Sequence, residues 1–469
     1  MKVTESGATK HRQLQIEDYL QRVSAEQREY AGVCEPPKMA ETDITNTTEQ
    51  AENLLEQILA SDNLNRAYKQ VKRNKGAGGI DGMQVDELLP FLKENRKELL
   101  QSLRDGKYRP KPVRRVEIPK ENGKVRKLGI PTVVDRLIQQ AICQTLTPIF
   151  EKQFSDNSFG FRPKRSAHGA LRRCQANITE DYKHVVDMDL EKYFDTVNQS
   201  RLIQILSETI KDGRVISLIH RFLRAGVMVG GMFEDSPEGV PQGGPLSPLL
   251  GNIMLNELDH ELERRGHRFV RYADDLLIFC KSRKAAKRTL KHILPYIEGK
   301  LYLRVNREKT QVAYINDIKY LGYGFYIYKG EGRLRIHPKS IRKFKDNIRN
   351  ITGRSNGLGI EFRKIRLNQL ICGWINYFRL ADAKGLAQRL DEWIRSRIRM
   401  VTWKRWKRVR TRYANLKGLG IKEEQAWMWA NTRKGYWRIA HSPILLIALS
   451  IERFKRSGYL SLAECYSAK

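Results

Sequence analysis

The chain has 469 residues, enough for about three domains and a sizeable core. Its 86 Lys and Arg against 53 Asp and Glu leave a formal charge of +33, far more than solubility needs, so a polyanionic partner is implied. An apolar run of the ~18 residues needed to cross a bilayer is absent, as is a signal-peptide pattern, which argues against a membrane protein and for the cytosol, bacterial or nucleoid-associated.

Residues 1–48 are polar and mixed in charge, and predict a flexible extension with at most a short helix around Leu14 to Val23. From Ala51 the pattern becomes helical, with Leu54, Leu55, Ile58 and Leu59 on one face and Asn63 in place to cap the next helix. The string Asn74-Lys-Gly-Ala-Gly-Gly-Ile-Asp-Gly82 is a glycine-rich loop beside lysines. It could bring backbone amides to phosphate near Lys75 and Gly76, or be a plain turn, since it lacks the Gly-Lys-Ser/Thr ending of a P-loop.

Tyr108 to Lys120 and Gly123 to Pro131 predict two strands joined at Glu121-Asn-Gly, lined by Arg114, Arg115, Lys120, Lys124 and Arg126. Such a cationic hairpin can clamp a triphosphate, although the Arg/Val alternation also permits a solvated basic hairpin. Val134 to Ile142 is an amphipathic helix. Phe159-Gly-Phe-Arg-Pro-Lys-Arg-Ser-Ala-His168 combines aromatics with Arg162 and Arg165, the combination that stacks on bases and contacts phosphates of a single strand.

His184-Val-Val-Asp-Met-Asp-Leu-Glu-Lys-Tyr-Phe-Asp195 begins as an apolar strand and carries Asp187, Asp189 and Asp195 into a strand-to-helix junction. Phe194, beside Tyr193, reads from the residues alone as a core aromatic. In Gly239-Val-Pro-Gln-Gly-Gly-Pro-Leu-Ser-Pro248 the glycines permit close backbone approach, and Gln242 can donate or accept. Phe269-Val-Arg-Tyr-Ala-Asp-Asp-Leu-Leu-Ile-Phe-Cys280 predicts two buried strands with Asp274 and Asp275 at the tip of a tight turn. Adjacent carboxylates in so apolar a setting repel and resist desolvation unless a cation joins them. With Asp189 from the other strand they would form a three-carboxylate site for Mg²⁺, two ions per site, in phosphoryl transfer. An acidic turn without a metal is the alternative.

Beyond the hairpin, Lys309 in Leu303 to Thr310 is either a cation near this site or a surface lysine. Lys319-Tyr-Leu-Gly-Tyr-Gly-Phe325 alternates as a strand should, and from about Ile336 the chain turns helical and basic. Arg395 to Arg412 holds nine Lys and Arg and no acid, with Trp403 and Trp406 among them. Arg395, Arg399, Lys404, Arg405, Lys407 and Arg408 are therefore candidate phosphate contacts beside an aromatic platform; the competing picture is a solvated basic face over core tryptophans. Cys34, Cys143, Cys174, Cys280, Cys372 and Cys465 are scattered singly, against structural zinc and against a disulfide framework. The chain shows no internal repeat.

Three strings in this order, Asp189-Leu-Glu-Lys-Tyr-Phe-Asp195, Gly239-Val-Pro-Gln-Gly-Gly-Pro-Leu-Ser-Pro248 and Arg271-Tyr-Ala-Asp-Asp275, resemble a reverse transcriptase, and specifically the protein encoded by a group II intron. Leu367-Asn-Gln-Leu-Ile-Cys-Gly-Trp-Ile-Asn-Tyr-Phe378 resembles the maturase domain that forms the thumb of such enzymes, and the resemblance covers roughly residues 50–469. It implies an α+β right hand: a flexible extension (1–48), fingers (49–135), palm with part of the fingers (136–335), thumb (336–412) and a small helical DNA-binding domain (413–469).

The resemblance further implies RNA-directed DNA synthesis with the metal at Asp189, Leu190, Asp274 and Asp275. It assigns triphosphate contact to Arg114, Lys120 and Arg126 and template contact to the glycine-rich extension. The ring of Phe194 would exclude a 2′-hydroxyl, Gln242 would lie near the nascent pair, and Lys309 would protonate the leaving pyrophosphate. Partners would be intron RNA, template RNA, a DNA primer or target and deoxynucleoside triphosphates. Nothing resembles the Cys/His endonuclease of some relatives, so a second-strand cut is not expected. A reverse transcriptase adopted for another task is the competing enzyme reading. A splicing factor with a dead polymerase is the non-enzymatic one, opposed by the intact Asp189, Asp274 and Asp275.

Overall fold

The computed structural model describes residues 53–119 and 125–468, which divide into two compact units at Ala313/Tyr314. The extension over 1–48, Lys120 and the turn at Glu121-Asn-Gly lie outside the described residues.

In the first unit α1 (Leu54–Leu59) buries all four apolar residues named above. It leads into α2 (Ser61–Asn74), a 3₁₀ turn (Val85–Glu87) and α3 (Leu88–Arg104). Asn63 is not a cap. It lies inside α2, 4% exposed, and its amide donates to the Ile58 and Ala141 carbonyls (2.9 and 3.0 Å), because burial left its polar group no water to bond.

The basic hairpin forms as β1 (Val113–Pro119) and β2 (Val125–Ile130), antiparallel with Arg114 opposite Ile130. Next come α4 (Val133–Glu151), capped by Thr132, then α5 (Ala167–Thr179), β3 (His184–Met188), α6 (Tyr193–Thr196), α7 (Gln199–Thr209) and α8 (Gly213–Leu223). The short hairpin β4 (Val227–Val229) and β5 (Met232–Glu234) adds to β1, giving the sheet order β2-β1-β4-β5. Buried Asp135 ties this sheet to α4: it accepts from the Tyr108 hydroxyl (2.7 Å) and the Thr132 hydroxyl (2.6 Å).

The second sheet is built from β6 (Arg268–Tyr272), β7 (Asp275–Cys280), β3 and β8 (Gln311–Tyr314), in the order β6-β7-β3-β8. Two helices serve it, α9 (Ser247–Arg264) before the β6–β7 hairpin and α10 (Arg283–Gly299) after it. Strand alternation sends Leu276, Ile278 and Cys280 of β7 and Val186 and Met188 of β3 into the core that holds Ala286, Ile293 and Ile297 of α10. This sheet is antiparallel over β6-β7-β3 and near-continuously apolar, as a strand set covered on both faces must be.

The second unit opens with a sheet of β9 (Lys319–Tyr320), β10 (Tyr323–Tyr328) and β11 (Glu331–Ile336). Nine helices follow among the described residues: α11 (Pro338–Ile351), α12 (Ile360–Tyr377), α13 (Lys384–Arg405), α14 (Val409–Gly418), α15 (Glu423–Ala430), α16 (Tyr436–Ala440), α17 (Pro443–Ala448), α18 (Ile451–Arg456) and α19 (Leu462–Ser467). The division at Ala313/Tyr314 falls ahead of the palm–thumb border expected at 335/336. The aromatic strand belongs with the helices because Tyr323 packs on Tyr377 and Phe378 (ring centroids 5.9 and 5.0 Å) and donates its hydroxyl to the Tyr377 carbonyl. Among the described residues no helix is long and apolar enough to cross a membrane.

Candidate active site

The β6–β7 hairpin closes through Ala273 and Asp274 alone, since Tyr272 pairs with Asp275. Ala273 takes φ +56°, the positive value such two-residue turns require. Two close approaches fix the turn. A Cβ on Gly160 would lie 2.2 Å from the Ala273 nitrogen, so only glycine lets the 157–160 loop run this near. From beneath, the Arg271 guanidinium donates to the Ala273 carbonyl (3.0 Å), to Asn252 Oδ1 (2.9 Å) and to both oxygens of Asp259 (2.5–3.0 Å). Asn252 Nδ2 in turn donates to the Gly160 carbonyl (2.8 Å). Arg271 and Asp259 are both wholly buried.

Asp189 lies just past the end of β3, the strand beside β7. A bridge to the 304–310 loop holds it: Asn306 N donates to the Asp189 carbonyl (2.9 Å), Glu191 N to the Arg304 carbonyl (2.8 Å), and Asp189 N to Thr310 Oγ1 (3.2 Å). None of these bonds uses the Leu190 carbonyl. The same loop brings Lys309 Nζ to 3.0 Å from Asp189 Oδ2. Lys309 is 61% exposed, and exposed ion pairs are worth at most about 1 kcal/mol, so a divalent cation can readily displace its ammonium.

Burial pushes the Asp274 carboxyl above the usual carboxylate range; the nearby Asp189 charge adds to the rise, while Arg126 and Arg271 oppose it. Burial likewise raises Asp187, whose carboxylate accepts from Gln311 (3.1 Å) instead of joining the site. Asp275 opens β7 and is exposed, because neighbours on a strand face opposite ways. Among the described residues no three His, Cys, Asp or Glu side chains are grouped to hold an ion. Of the three expected carboxylates, Asp189 and Asp274 are near enough for the charge of one to act on the other, and Asp275 is the exposed neighbour at the start of β7. Two hard oxygen donors, of which Asp189 makes Asp274 costlier to ionise, fit a divalent ion that completes its shell with phosphate and water.

The Val240-Pro-Gln loop hooks onto β2. Gly129 N donates to the Gln242 carbonyl (2.7 Å), and Arg126 Nε approaches Gln242 Oε1 at 3.4 Å, bringing two of the expected nucleotide contacts together. Gly243 at φ +115° comes so close to the Gly129 carbonyl that a side chain there would clash. Phe194 is half-buried, packed over Gly251 of α9 and edge-on to Tyr193 (5.1 Å), and its carbonyl accepts from Val240 N (2.6 Å). Its ring thus flanks the same loop.

Several expected contacts have structural jobs instead. Arg114 donates to the Gly78 carbonyl (2.8 and 3.2 Å) and Arg136 to the Ala77 carbonyl (2.7 Å), so the glycine-rich loop is clamped by its carbonyls. Gly76 and Gly79 permit close approach to Arg136 and to the Thr132 backbone, while Lys75 stays exposed. Arg162 is 2% exposed, paired with Glu151 (2.8 Å) and bonded to the Ser155 and Ser158 carbonyls; it braces the loop and cannot reach a template. Arg165 pairs with Asp156 (2.5 Å).

In the second unit Arg399 is buried on the Leu449 carbonyl, and Trp403 and Trp406 are core, 1% and 8% exposed. The aromatic platform expected on α13 is therefore replaced by a basic rim on core tryptophans. Arg405, Lys407 and Arg408 are exposed, Arg395 half-exposed, and Lys404 bonds to the Arg354 carbonyl (2.7 Å). The buried partners Asn252 and Asp259 went unread in the sequence. Their signal was polar residues at helical spacing inside the apolar run of α9.

Residues 118–325 match the family described as reverse transcriptase (RNA-dependent DNA polymerase), and residues 341–420 the group II intron maturase-specific domain. Protein YkfC of Escherichia coli (strain K12) is 34% identical over 320 residues, covering 60% of this chain and 84% of that protein. The group II intron-encoded protein LtrA of Lactococcus lactis subsp. cremoris is 33% identical over 344 residues, covering 59% of this chain and 57% of LtrA. The putative COX1/OXI3 intron 2 protein of Saccharomyces cerevisiae is 26% identical over 408 residues, covering 67% of this chain and 47% of its own length. The chain thus spans about half the length of these two intron relatives.

Proposed function

The chain belongs to the group II intron-encoded reverse transcriptases that carry a maturase domain, and on that premise we propose that it copies RNA into DNA from a primer 3′-hydroxyl and binds its intron RNA to assist splicing and mobility. The observation that carries the polymerase reading is the pairing of Asp189 and Asp274 from two strands, with Arg126 and Lys309 beside them.

In this reading Asp189 and Asp274, with the Leu190 carbonyl, would hold Mg²⁺. When bound there, such a metal would supply Lewis-acid activation of the primer oxygen and neutralise charge on the leaving pyrophosphate. Arg126 and Gln242 hold the triphosphate end and the nascent pair, and Phe194 stands against the sugar. Lys309, once released from Asp189, can give a proton to the departing pyrophosphate. Catalysis is then mainly positioning and electrostatic stabilisation. Arg405, Lys407 and Arg408 supply exposed cations for nucleic acid on the maturase unit.

The test is primer extension on an RNA template, with deoxynucleotides or ribonucleotides supplied separately and Mg²⁺ varied. Metal-dependent DNA synthesis is expected, and Phe194→Ala should raise ribonucleotide use relative to deoxynucleotide by roughly ten-fold or more. Absence of synthesis with every metal would leave RNA binding alone, and unchanged sugar selection in the variant would remove Phe194 from the nucleotide site.

A further inference from the structure

Outside the candidate active site, the exposed charges of α10 from Arg283 to Lys291 are all cations, and the first acid on the helix is Glu298 near its end. The sequence holds no Asp or Glu between Asp275 and Glu298, and within that stretch Arg283, Lys284, Lys287, Arg288 and Lys291 are all exposed. At 100° per residue the five fall within about 140° of arc and along about 12 Å of helix. The opposite side is apolar: Ala286, Thr289, Ile293 and Ile297 are buried against the sheet. Ser282 caps the first turn (3.1 Å), so the helix presents these cations from a defined frame.

Some other helices of this unit carry paired surface charges. On α9, Glu261 binds Arg264 and Arg265 (2.7 and 2.5 Å), and even the end of α10 is neutralised, Glu298 meeting Arg307 at 2.7 Å. Among the described residues none of the five cations has a carboxylate within ion-pair reach. The positive field is felt behind them too: His267 is held below the ordinary histidine range, chiefly by burial and then by Arg265 and Arg288. Like charges one helical turn apart repel. A face made only of such pairs is complementary to a polyanion whose charges are spaced along a line.

We propose that the outer face of α10 is a docking surface for the phosphodiester backbone of RNA, separate from the polymerase cleft. It faces away from the sheet that carries Asp189 and Asp274, so RNA held there does not occupy the catalytic turn. This inference rests on the maturase reading above, and it assigns RNA retention to the polymerase unit as well as to the maturase unit.

The experiment uses the full chain with its cleft first filled by excess unlabelled primer–template, and a fluorescent RNA duplex of about 20 base pairs as probe. The variant Arg283→Gln, Lys287→Gln, Lys291→Gln removes one row of charges and keeps residues that favour helix. The control Lys93→Gln, Arg96→Gln, Lys97→Gln removes the same charge from α3. The α10 variant should bind the probe at least ten-fold more weakly at 0.15 M salt, with the slope of log K against log salt smaller by about 2 to 3. Its extension of a short oligonucleotide primer should stay within two-fold of the parent, and the control should keep both affinity and slope.

Equal binding by parent and α10 variant overturns the proposal, as does an equal loss in the control. A DNA duplex bound by this face as tightly as RNA overturns the assignment to RNA. Failure of the parent to extend a primer would instead indict the polymerase reading, which the binding assay does not depend on.

Discussion

Asp274→Asn should abolish nucleotide addition while leaving the protein folded. The side chain sits half-buried at the tip of a two-residue turn, within the field of the Asp189 charge, so the amide preserves shape and hydrogen bonding but removes the charge that would hold a divalent ion. Single-turnover incorporation is expected to fall by roughly 10³-fold or more. The stability effect should have the opposite sign. An aspartate whose folded proton affinity is raised by burial contributes its stability only when protonated and loses it as pH rises, so at neutral pH the ionised side chain is a cost. The melting temperature of Asp274→Asn should match or exceed that of the parent. Retained synthesis, or a fall in both melting temperature and activity, would remove Asp274 from the catalytic role.

Arg271→Met should do the reverse, damaging the fold first. It strands the wholly buried Asp259 carboxylate without its partner and leaves the Ala273 carbonyl without this donor. Breaking a buried pair from one side costs about 3–5 kcal/mol, which for a unit of this size lowers the melting temperature by roughly 10 °C. The double variant Arg271→Met, Asp259→Leu removes both charges and should recover most of the lost stability. Its polymerase activity should not recover in step, because the hairpin tip still lacks the hydrogen bond beneath Ala273. Full recovery of synthesis together with stability would show that Arg271 serves only the core.

The strings of the candidate site were legible because their chemistry is local. Asp274 and Asp275 announce a turn between apolar strands, and Asp189 ends another such strand, so residue type and order were enough to pair them. The four apolar residues of α1 and the basic hairpin were legible for a similar reason, since periodicities of 3.6 and 2 are written along the chain itself.

What the sequence determined by itself was the chemistry: a large positive charge, two acidic strand ends and a family order of motifs. Tertiary structure decided which charged groups are free to use it. Arg162, Arg271 and Arg399 look no different in sequence from Arg405 or Lys407, yet the first three are buried on carboxylates or carbonyls and the others face water. The physical reason is that a buried cation must find a partner, and that partner here is distant in the chain: Asp259 lies twelve residues from Arg271, and the Leu449 carbonyl fifty residues from Arg399. The same holds for α10, where among the described residues folding brings no carboxylate within ion-pair reach of the cations from Arg283 to Lys291.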